Sequence, residues 1–191
     1  GGSVVKALLR FPLLAALPML LPAVAAAQEG GRSTTATDVT KAEIDTVLAS
    51  PDGGVDRQVK VVDIGHGNVA VGILHRGPTP ADGTITGIIH HRVTEVYYVT
   101  SGGGTLTTGG SLVDPTPRAP DSLSVQVLGG PSDAGEGRGG RSRQVSVGDV
   151  IVIPAGVFHG WSAIEDHVTY LSVRPDPQGL LPAGYVNPAI R

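Results

Sequence analysis

The sequence predicts an all-β barrel or sandwich with one N-terminal helix. From residue 55 onward, short runs rich in Val, Ile, Thr and Tyr are separated by Gly, Pro and Asp. This is typical of many short antiparallel strands and not of alternating strands and helices. One segment near residue 40 has the apolar spacing of a convincing helix. A chain of 191 residues is long enough for one domain of this kind.

Residues 1–27 are predicted to be a secretory signal peptide. Lys6 and Arg10 precede an apolar stretch, 13–27, which ends in three alanines, and this is the pattern of a cleavable signal. A membrane anchor is the alternative, but the stretch is shorter than the roughly 20 residues of a bilayer span and two prolines interrupt it. We therefore expect a periplasmic or secreted protein without a membrane span after cleavage, with residues 28–36 as a disordered leader.

Composition excludes some partners. The formal net charge is −3, and cleavage of the signal makes it more negative because two basic residues and no acid are lost. An acidic surface repels phosphate backbones, so nucleic acid is not an expected partner. The sequence has no cysteine, so stability must come from one core, with a metal or a second subunit as further sources.

Residues 37–54 are predicted to form the N-terminal helix and the turn that ends it. Thr40 and Glu43 have the spacing of a capping box, and Pro51 with two following glycines stops the helix. Its apolar face consists of Ile44, Val47 and Leu48. We expect this helix to pack as a lid against the outside of the sheet.

The barrel is predicted over 55–174. Its expected strands are Gln58–Ile64, Asn68–Arg76, Ile85–His91, Glu95–Thr100, Gly104–Thr108, Ser124–Leu128, Gln144–Val147, Val150–Ile153 and Val168–Val173. The segment 109–143 is rich in Pro and Gly and is interpreted as a mobile loop insertion with one embedded strand. The Pro-rich tail 175–191 is expected to be extended, wrapping the barrel or reaching a partner subunit.

Two segments combine histidines and an acid with fixed glycines and a proline. The first contains Gly83, His91, Glu95 and Gly102, and the second contains Gly148, Pro154, Gly156 and His159. Their order and spacing resemble the two motifs of the cupin superfamily. The first motif of that family is Gly, five residues, His-x-His, three or four residues, Glu, six residues, Gly. The second is Gly, five residues, Pro-x-Gly, two residues, His, three residues, Asn.

The resemblance implies a double-stranded β-helix, or jelly-roll barrel, that holds a metal on histidines and a glutamate. Two positions depart from the family pattern: Ile89 takes the place of the first histidine, and Ala163 takes the place of the final Asn. The implied function is that of an exported metal-binding cupin, a metal-dependent enzyme of oxygenase, isomerase or lyase type that acts on a small organic substrate.

The resemblance implies the metal ligands, and side-chain alternation agrees with it for His91 and Glu95. Along a strand, His91, Glu95 and Tyr97 share one face, which we expect to point into the barrel. The ligands are then His91, Glu95 and His159. They suit one divalent transition metal ion, with Fe, Mn, Ni, Cu and Zn all compatible. The alternative is a barrel without metal, but an unpaired inward carboxylate is costly.

The vacated first-histidine position has two candidates. His90 has the outward parity but would reach the metal through a bulge, and the longer of the two motif spacings would use it. His75 lies on a strand whose same-parity residues are apolar, so we expect it to face inward. A hydrogen-bonded core histidine is the simpler interpretation of His75.

Glu95 and Tyr97 are the candidate catalytic residues. His75, Phe158 and Trp161 are candidates for the substrate pocket, although the two aromatic residues are more simply explained as core. Besides a metal-dependent enzyme, the sequence is compatible with a non-catalytic cupin that binds a sugar or another small molecule, and with a structural envelope protein. A homodimer is a candidate assembly.

Overall fold

The computed structural model describes residues 1–2, 35–51, 53–79, 81 and 83–191. The predicted signal peptide and most of the predicted leader lie outside the described residues. Among the helices of the described part, none has the length and apolar character needed to cross a membrane.

The described residues form one α-helix followed by antiparallel strands, which confirms the predicted all-β class. The elements are α1 (Lys41–Ala49), β1 (Asp56–Asp63), β2 (Asn68–Arg76), β3 (Thr86–His90), β4 (Glu95–Thr108), β5 (Ser111–Pro117), β6 (Ser132–Arg138), β7 (Arg141–Ser146), β8 (Val150–Ile153), β9 (His159–Ala163) and β10 (Val168–Asp176). Hydrogen-bonded neighbours follow the order β1-β2-β10-β4-β9-β3-β6-β5, with β7 and β8 also paired to β4.

Strand β4 connects the two halves of the barrel. Its first part pairs with β8 and β10, and its second part pairs with β7 and β9. The change of partners falls at the glycines 102–104. Gly102 has φ +66°, and a Cβ atom there would lie 2.0 Å from the carbonyl oxygen of His167. A side chain is therefore excluded at this bend, which explains why two predicted strands are one long bent strand.

Helix α1 covers the outer face of β1 and β2. The predicted capping box is present, because Thr40 accepts from the Glu43 amide and the Glu43 side chain accepts from the Thr40 amide. Val47 is fully buried and packs with Val59 of β1 and Ile73 of β2. The helix is thus the outer lid that its apolar face predicts.

The segment 109–143 contains more regular secondary structure than the one embedded strand that the sequence predicts. It contains β5, β6 and the start of β7, and Ser124–Leu128 is a π-helical turn instead of the predicted strand. Main-chain bonds from Gln126 to Ser122 and from Gly129 to Ser124 close this turn. A run of five mixed residues does not distinguish strand from helix by periodicity, and local turn bonds decided between them.

Strand β9 and the C-terminal tail complete the barrel. No strand was predicted at His159–Ala163, because a glycine and a serine interrupt its apolar pattern. The tail lies along β1: the amide of Val61 donates to the carbonyl of Tyr185, and Leu181 is 1% exposed beside Val61. Of the two roles expected for the tail, wrapping the barrel matches this packing.

The packing under α1 predicts a difference between two chemically identical truncations. Val59→Ala removes a fully buried side chain, whereas Val152→Ala removes one that is 62% exposed, and both residues lie in strands. We expect Val59→Ala to lower the free energy of unfolding by about 2 kcal/mol more than Val152→Ala. Urea denaturation of both variants measures this difference, and equal losses would contradict the observed packing.

Candidate metal centre

Three buried side chains converge at one end of the barrel interior. His90 ends β3, Glu95 begins β4 and His159 begins β9. Nε2 of His159 lies 3.0 Å from Oε2 of Glu95, and Nε2 of His90 lies 3.4 Å from the same oxygen. Each of the three offers a ligand atom within 4.8 Å of the others. The group could therefore hold a metal ion.

The expectation that His91 faces the interior is wrong, and His90 takes its place. The side chain of His91 is 44% exposed, and its Nε2 lies 3.1 Å from a carboxylate oxygen of Asp133. Strand β3 ends at His90 and β4 starts at Glu95. The residues between them are not extended, so the alternation of faces does not continue across this turn, and counting by two from Glu95 selects the wrong histidine.

With His90 as the second histidine of the motif, the longer family spacing applies. Ile88, rather than Ile89, then takes the place of the first histidine. Ile88 lines the same cavity as His90 and Glu95, and it pairs with His159 across β3 and β9. An apolar side chain thus occupies the position from which a further imidazole would reach the centre.

His75 does not contribute to this centre. It is exposed on the outer side of β2, where Nδ1 is 2.8 Å from the Thr169 hydroxyl and its ring stacks on His167. The same-parity residue Ile73 is apolar because α1 covers it from outside. The apolar face of β2 that contains Ile73 and His75 is therefore the outer face, part of which α1 covers, and not the face in the barrel interior.

The hydrogen-bond partner of Nδ1 determines which nitrogen of each imidazole carries the proton. Ser132 donates its hydroxyl proton to the Gly130 carbonyl and so accepts a bond from Nδ1 of His90 at 2.7 Å. Nδ1 of His159 lies 3.2 Å from the Val157 carbonyl, which can only accept. In neutral imidazoles, both Nε2 atoms then carry lone pairs directed at the Glu95 carboxylate.

Three acceptor atoms therefore face each other, an arrangement that requires a positive charge between them. That charge is either a bound cation or protons on the imidazoles. Metal–ligand bonds of about 2.1 Å at angles of about 90–109° place ligand atoms roughly 3.0–3.4 Å apart. The distances of 3.0 Å and 3.4 Å from Glu95 match this spacing, so the residues fit a transition metal.

The other carboxylate oxygen of Glu95 is held by strand β10. Oε1 accepts from the Ser172 hydroxyl at 2.8 Å and from Nε of Arg174 at 3.0 Å. The Arg174 guanidinium is fully buried and also donates to Gln58 at 2.7 Å and to Asp56 at 2.6 Å. The guanidinium thus pairs with two carboxylates, of which its single charge offsets one, and it fixes the orientation of Glu95 toward the two histidines.

The surroundings keep Glu95 ionised and Tyr97 protonated. Burial alone would raise the pKa of the Glu95 carboxyl, but Arg174 and the facing imidazoles hold it well below its usual value. The Tyr97 hydroxyl donates to Oε2 of Glu95 at 2.9 Å. Burial, and then the neighbouring carboxylate, raise the pKa of Tyr97 well above 10.0. Tyr97 is therefore a hydrogen-bond donor beside the candidate ligands.

A cavity of about 440 Å³ opens onto these residues. Tyr97 and Trp161 line it, with Leu74, Ile88 and Leu128 as further apolar lining residues. Phe158 does not line it: this ring is 1% exposed and fills the space beside Gly87 and Gly137. Of the three candidate pocket residues, the structure brings Trp161 to the cavity and leaves Phe158 in the core and His75 outside.

Three residues that line or support the candidate site were not predicted from the sequence: Arg76, Ser132 and Arg174. A signal existed for Arg174, because Tyr170, Ser172 and Arg174 alternate with apolar residues in β10 and share an inward face. Arg76 has the parity of Leu74, which is 2% exposed. Ser132 had no such signal, since it lies in the segment interpreted as a loop.

Comparisons with known proteins place the chain among the cupins. The sequence profile of the cupin family matches residues 46–183, whereas curated protein sequences give no match. Similar solved structures include a protein of Bacillus halodurans (16% identity, 82% of this chain and 92% of that one, TM-score 0.43). An ectoine synthase of P. lautus has 14% identity over 75% of this chain and 80% of that one, with a TM-score of 0.44. An uncharacterised double-stranded β-helix protein of Klebsiella pneumoniae has 14% identity over 76% and 94%, with a TM-score of 0.43.

The lowered pKa of Glu95 predicts a specific acid sensitivity. Because the pKa of Glu95 in the folded protein lies well below the ordinary value of 4.5, the unfolded chain binds the proton first as pH falls below about 4.5, and stability is lost there. In Glu95→Gln this carboxyl can no longer take up a proton. We therefore expect the free energy of unfolding of this variant to fall with decreasing pH less steeply than that of the wild type, by up to about 1.4 kcal/mol per pH unit.

Urea denaturation between about pH 5 and pH 3, with a chelator present, measures both slopes. Glu136→Gln on the exposed side of β6 controls for the loss of one negative charge. Identical slopes for the wild type and Glu95→Gln would contradict the depressed pKa.

Proposed function

Because the chain belongs to the cupin family, we propose that it is a metal-dependent enzyme that acts on a small organic substrate inside its barrel. His90, Glu95 and His159 would hold one divalent transition metal ion. The observation that carries the proposal is the convergence of two imidazole Nε2 atoms on one carboxylate oxygen at 3.4 Å and 3.0 Å. Facing lone pairs at these distances are most simply explained by a shared cation.

Two imidazoles and one carboxylate suit Fe, Mn, Ni, Cu and Zn. When bound, such an ion would supply a Lewis acid with coordination positions left for substrate. Ile88 supports this proposal, because an apolar side chain at the first-histidine position leaves one side of the centre without a protein ligand.

The chain's own residues have defined tasks in this proposal. Arg174 holds Oε1 of Glu95 and leaves Oε2 directed at the histidines. Tyr97 keeps its proton and donates a hydrogen bond at the edge of the cavity. Trp161 and Leu74 give the cavity apolar walls that exclude water from a bound substrate. Oxygenase, isomerase and lyase chemistry are all compatible with these tasks.

A pair of adjacent histidines provides a matched test of metal binding. We expect the purified wild type to contain one transition metal per chain and His90→Ala to bind it at least about a hundredfold more weakly, because a ligand is lost. His91→Ala should keep the wild-type affinity, because this side chain is 44% exposed and points away from the centre. Elemental analysis and competition with a chelator measure both.

Loss of metal in His91→Ala, with retention in His90→Ala, would contradict the assigned ligands. The absence of metal from the wild type after incubation with Fe, Mn, Ni, Cu and Zn would contradict the metal-dependent enzyme. Circular dichroism of both variants separates loss of a ligand from loss of fold.

One observation favours a second candidate function, a non-catalytic cupin that binds a small molecule. The single charge of Arg174 faces both Glu95 and Asp56, so one proton on the facing imidazoles would make this group neutral without a metal. Such a protein would keep its ligand affinity after Glu95→Gln, because turnover and metal play no part in binding. An enzyme would lose both metal and turnover in the same variant.

We also propose export to the periplasm or outside the cell, supported by the pattern of Lys6, Arg10 and the apolar stretch that follows. Expression of the full chain in a Gram-negative host is expected to yield a mature protein that begins at Gln28. Intact-mass analysis of the periplasmic fraction measures this. Recovery of the uncleaved chain in the cytoplasm would contradict export.

A further inference from the structure

We propose that Arg76 is the anion-binding residue of the cavity and that the substrate is a small organic acid whose carboxylate it receives. This inference rests on the proposed function, because it assigns a substrate class to the same cavity. It starts from an arginine that faces the cavity and forms no ion pair with any residue that the structure describes.

Arg76 lies at the end of β2 and lines the cavity that contains His90, Glu95 and His159. Its Nε donates to the Tyr170 hydroxyl at 3.1 Å. The same hydroxyl accepts from the indole nitrogen of Trp161 at 3.3 Å. Tyr170 thus anchors the guanidinium at one nitrogen and fixes its orientation in the wall.

The remaining nitrogens of Arg76 are free to bind a ligand. Among the described residues, its two Nη atoms have no hydrogen-bond acceptor, and the guanidinium forms no ion pair. A guanidinium keeps its charge at any ordinary pH, and two Nη groups side by side match the two oxygens of a carboxylate. Burial disfavours the charge of Arg76, but Tyr170, Tyr97 and Asp56 raise the pKa of the guanidinium, so it is charged before any ligand binds.

The charges around the cavity favour an anion. Asp56 and Glu95 are the carboxylates that line it, and Arg174 binds both, at 2.6 Å and 3.0 Å. The single charge of Arg174 offsets one of these two negative charges from behind, and one remains. Arg76 is joined by Arg118, an exposed second arginine of the lining. The surplus is positive and would increase with a divalent cation at the histidines.

The size and the remaining lining define the rest of the ligand. A cavity of about 440 Å³ accommodates a small molecule. Leu74, Ile88 and Trp161 are apolar and would contact a short carbon skeleton. A carboxylate at Arg76 would share this cavity with the histidine-glutamate group. These features together specify a small organic acid rather than a neutral sugar.

Trp161 provides a direct reporter for the test, because it lines the cavity and is the only tryptophan of the chain. Its fluorescence is titrated with butyrate and with the neutral analogue butyramide, in zinc-loaded and in metal-free protein. We expect butyrate and not butyramide to bind. Arg76→Gln should weaken butyrate binding about tenfold to a hundredfold, because charge-assisted hydrogen bonds are lost.

Two further variants control the comparison. Arg76→Lys keeps the positive charge and should retain part of the butyrate affinity. Arg141→Gln makes the same change in charge at an exposed residue of β7 that does not line the cavity, and should bind butyrate as the wild type does. Shifts in melting temperature with butyrate provide a second measure of binding.

Equal butyrate affinity of the wild type and Arg76→Gln would overturn the inference. So would equal binding of butyramide, or no effect of butyrate on either fluorescence or melting temperature. The metal content of the same samples separates this inference from the proposed enzyme. If the protein binds metal but Arg76→Gln does not change its butyrate affinity, this inference fails and the proposed enzyme is unaffected. If the protein takes up no metal but its butyrate affinity depends on Arg76, the protein is an organic-acid binder.

Discussion

A carboxylate that is 2% exposed inside a β-barrel constrains the whole interior of this protein. Burying the Glu95 charge is unfavourable unless its oxygens are compensated. Arg174 and Ser172 compensate one oxygen from β10, and His90 and His159 face the other from β3 and β9. One side chain therefore ties together strands that are distant in sequence, and the strands in turn position the two imidazoles.

The two carboxylate oxygens of Glu95 have different partners, which explains how one residue can contribute to both stability and binding. Oε1 accepts hydrogen bonds within a buried ion pair with Arg174 that needs no ligand. Oε2 faces the Nε2 lone pairs of the two histidines, and a cation between these atoms would be favourable. Arg174 forms ion pairs with both acids of the cavity, whereas Arg76 forms none among the described residues. The cavity thus has one wall suited to a metal and another suited to an anion.

Much of the fold was predictable because it depends on local patterns. The bounds of β2 and β8 and the capping box of α1 all follow from residue type and spacing. Errors arose where a local pattern has two physical causes. The apolar face around Ile73 indicated burial, but the covering element was α1 and not the barrel interior. The π-helical turn at Ser124–Leu128 likewise replaced a predicted strand.

The sequence by itself determined the family, the strand-rich fold and two of the three buried site residues, Glu95 and His159, because these depend on motif spacing and on alternation within single strands. Only the tertiary structure decided between His90 and His91, because the turn joining β3 to β4 breaks that alternation. It alone brought Arg174 and Arg76 to the site, since their partners lie on other strands. Contacts between strands depend on how the barrel closes, which the order of residues along one strand does not encode.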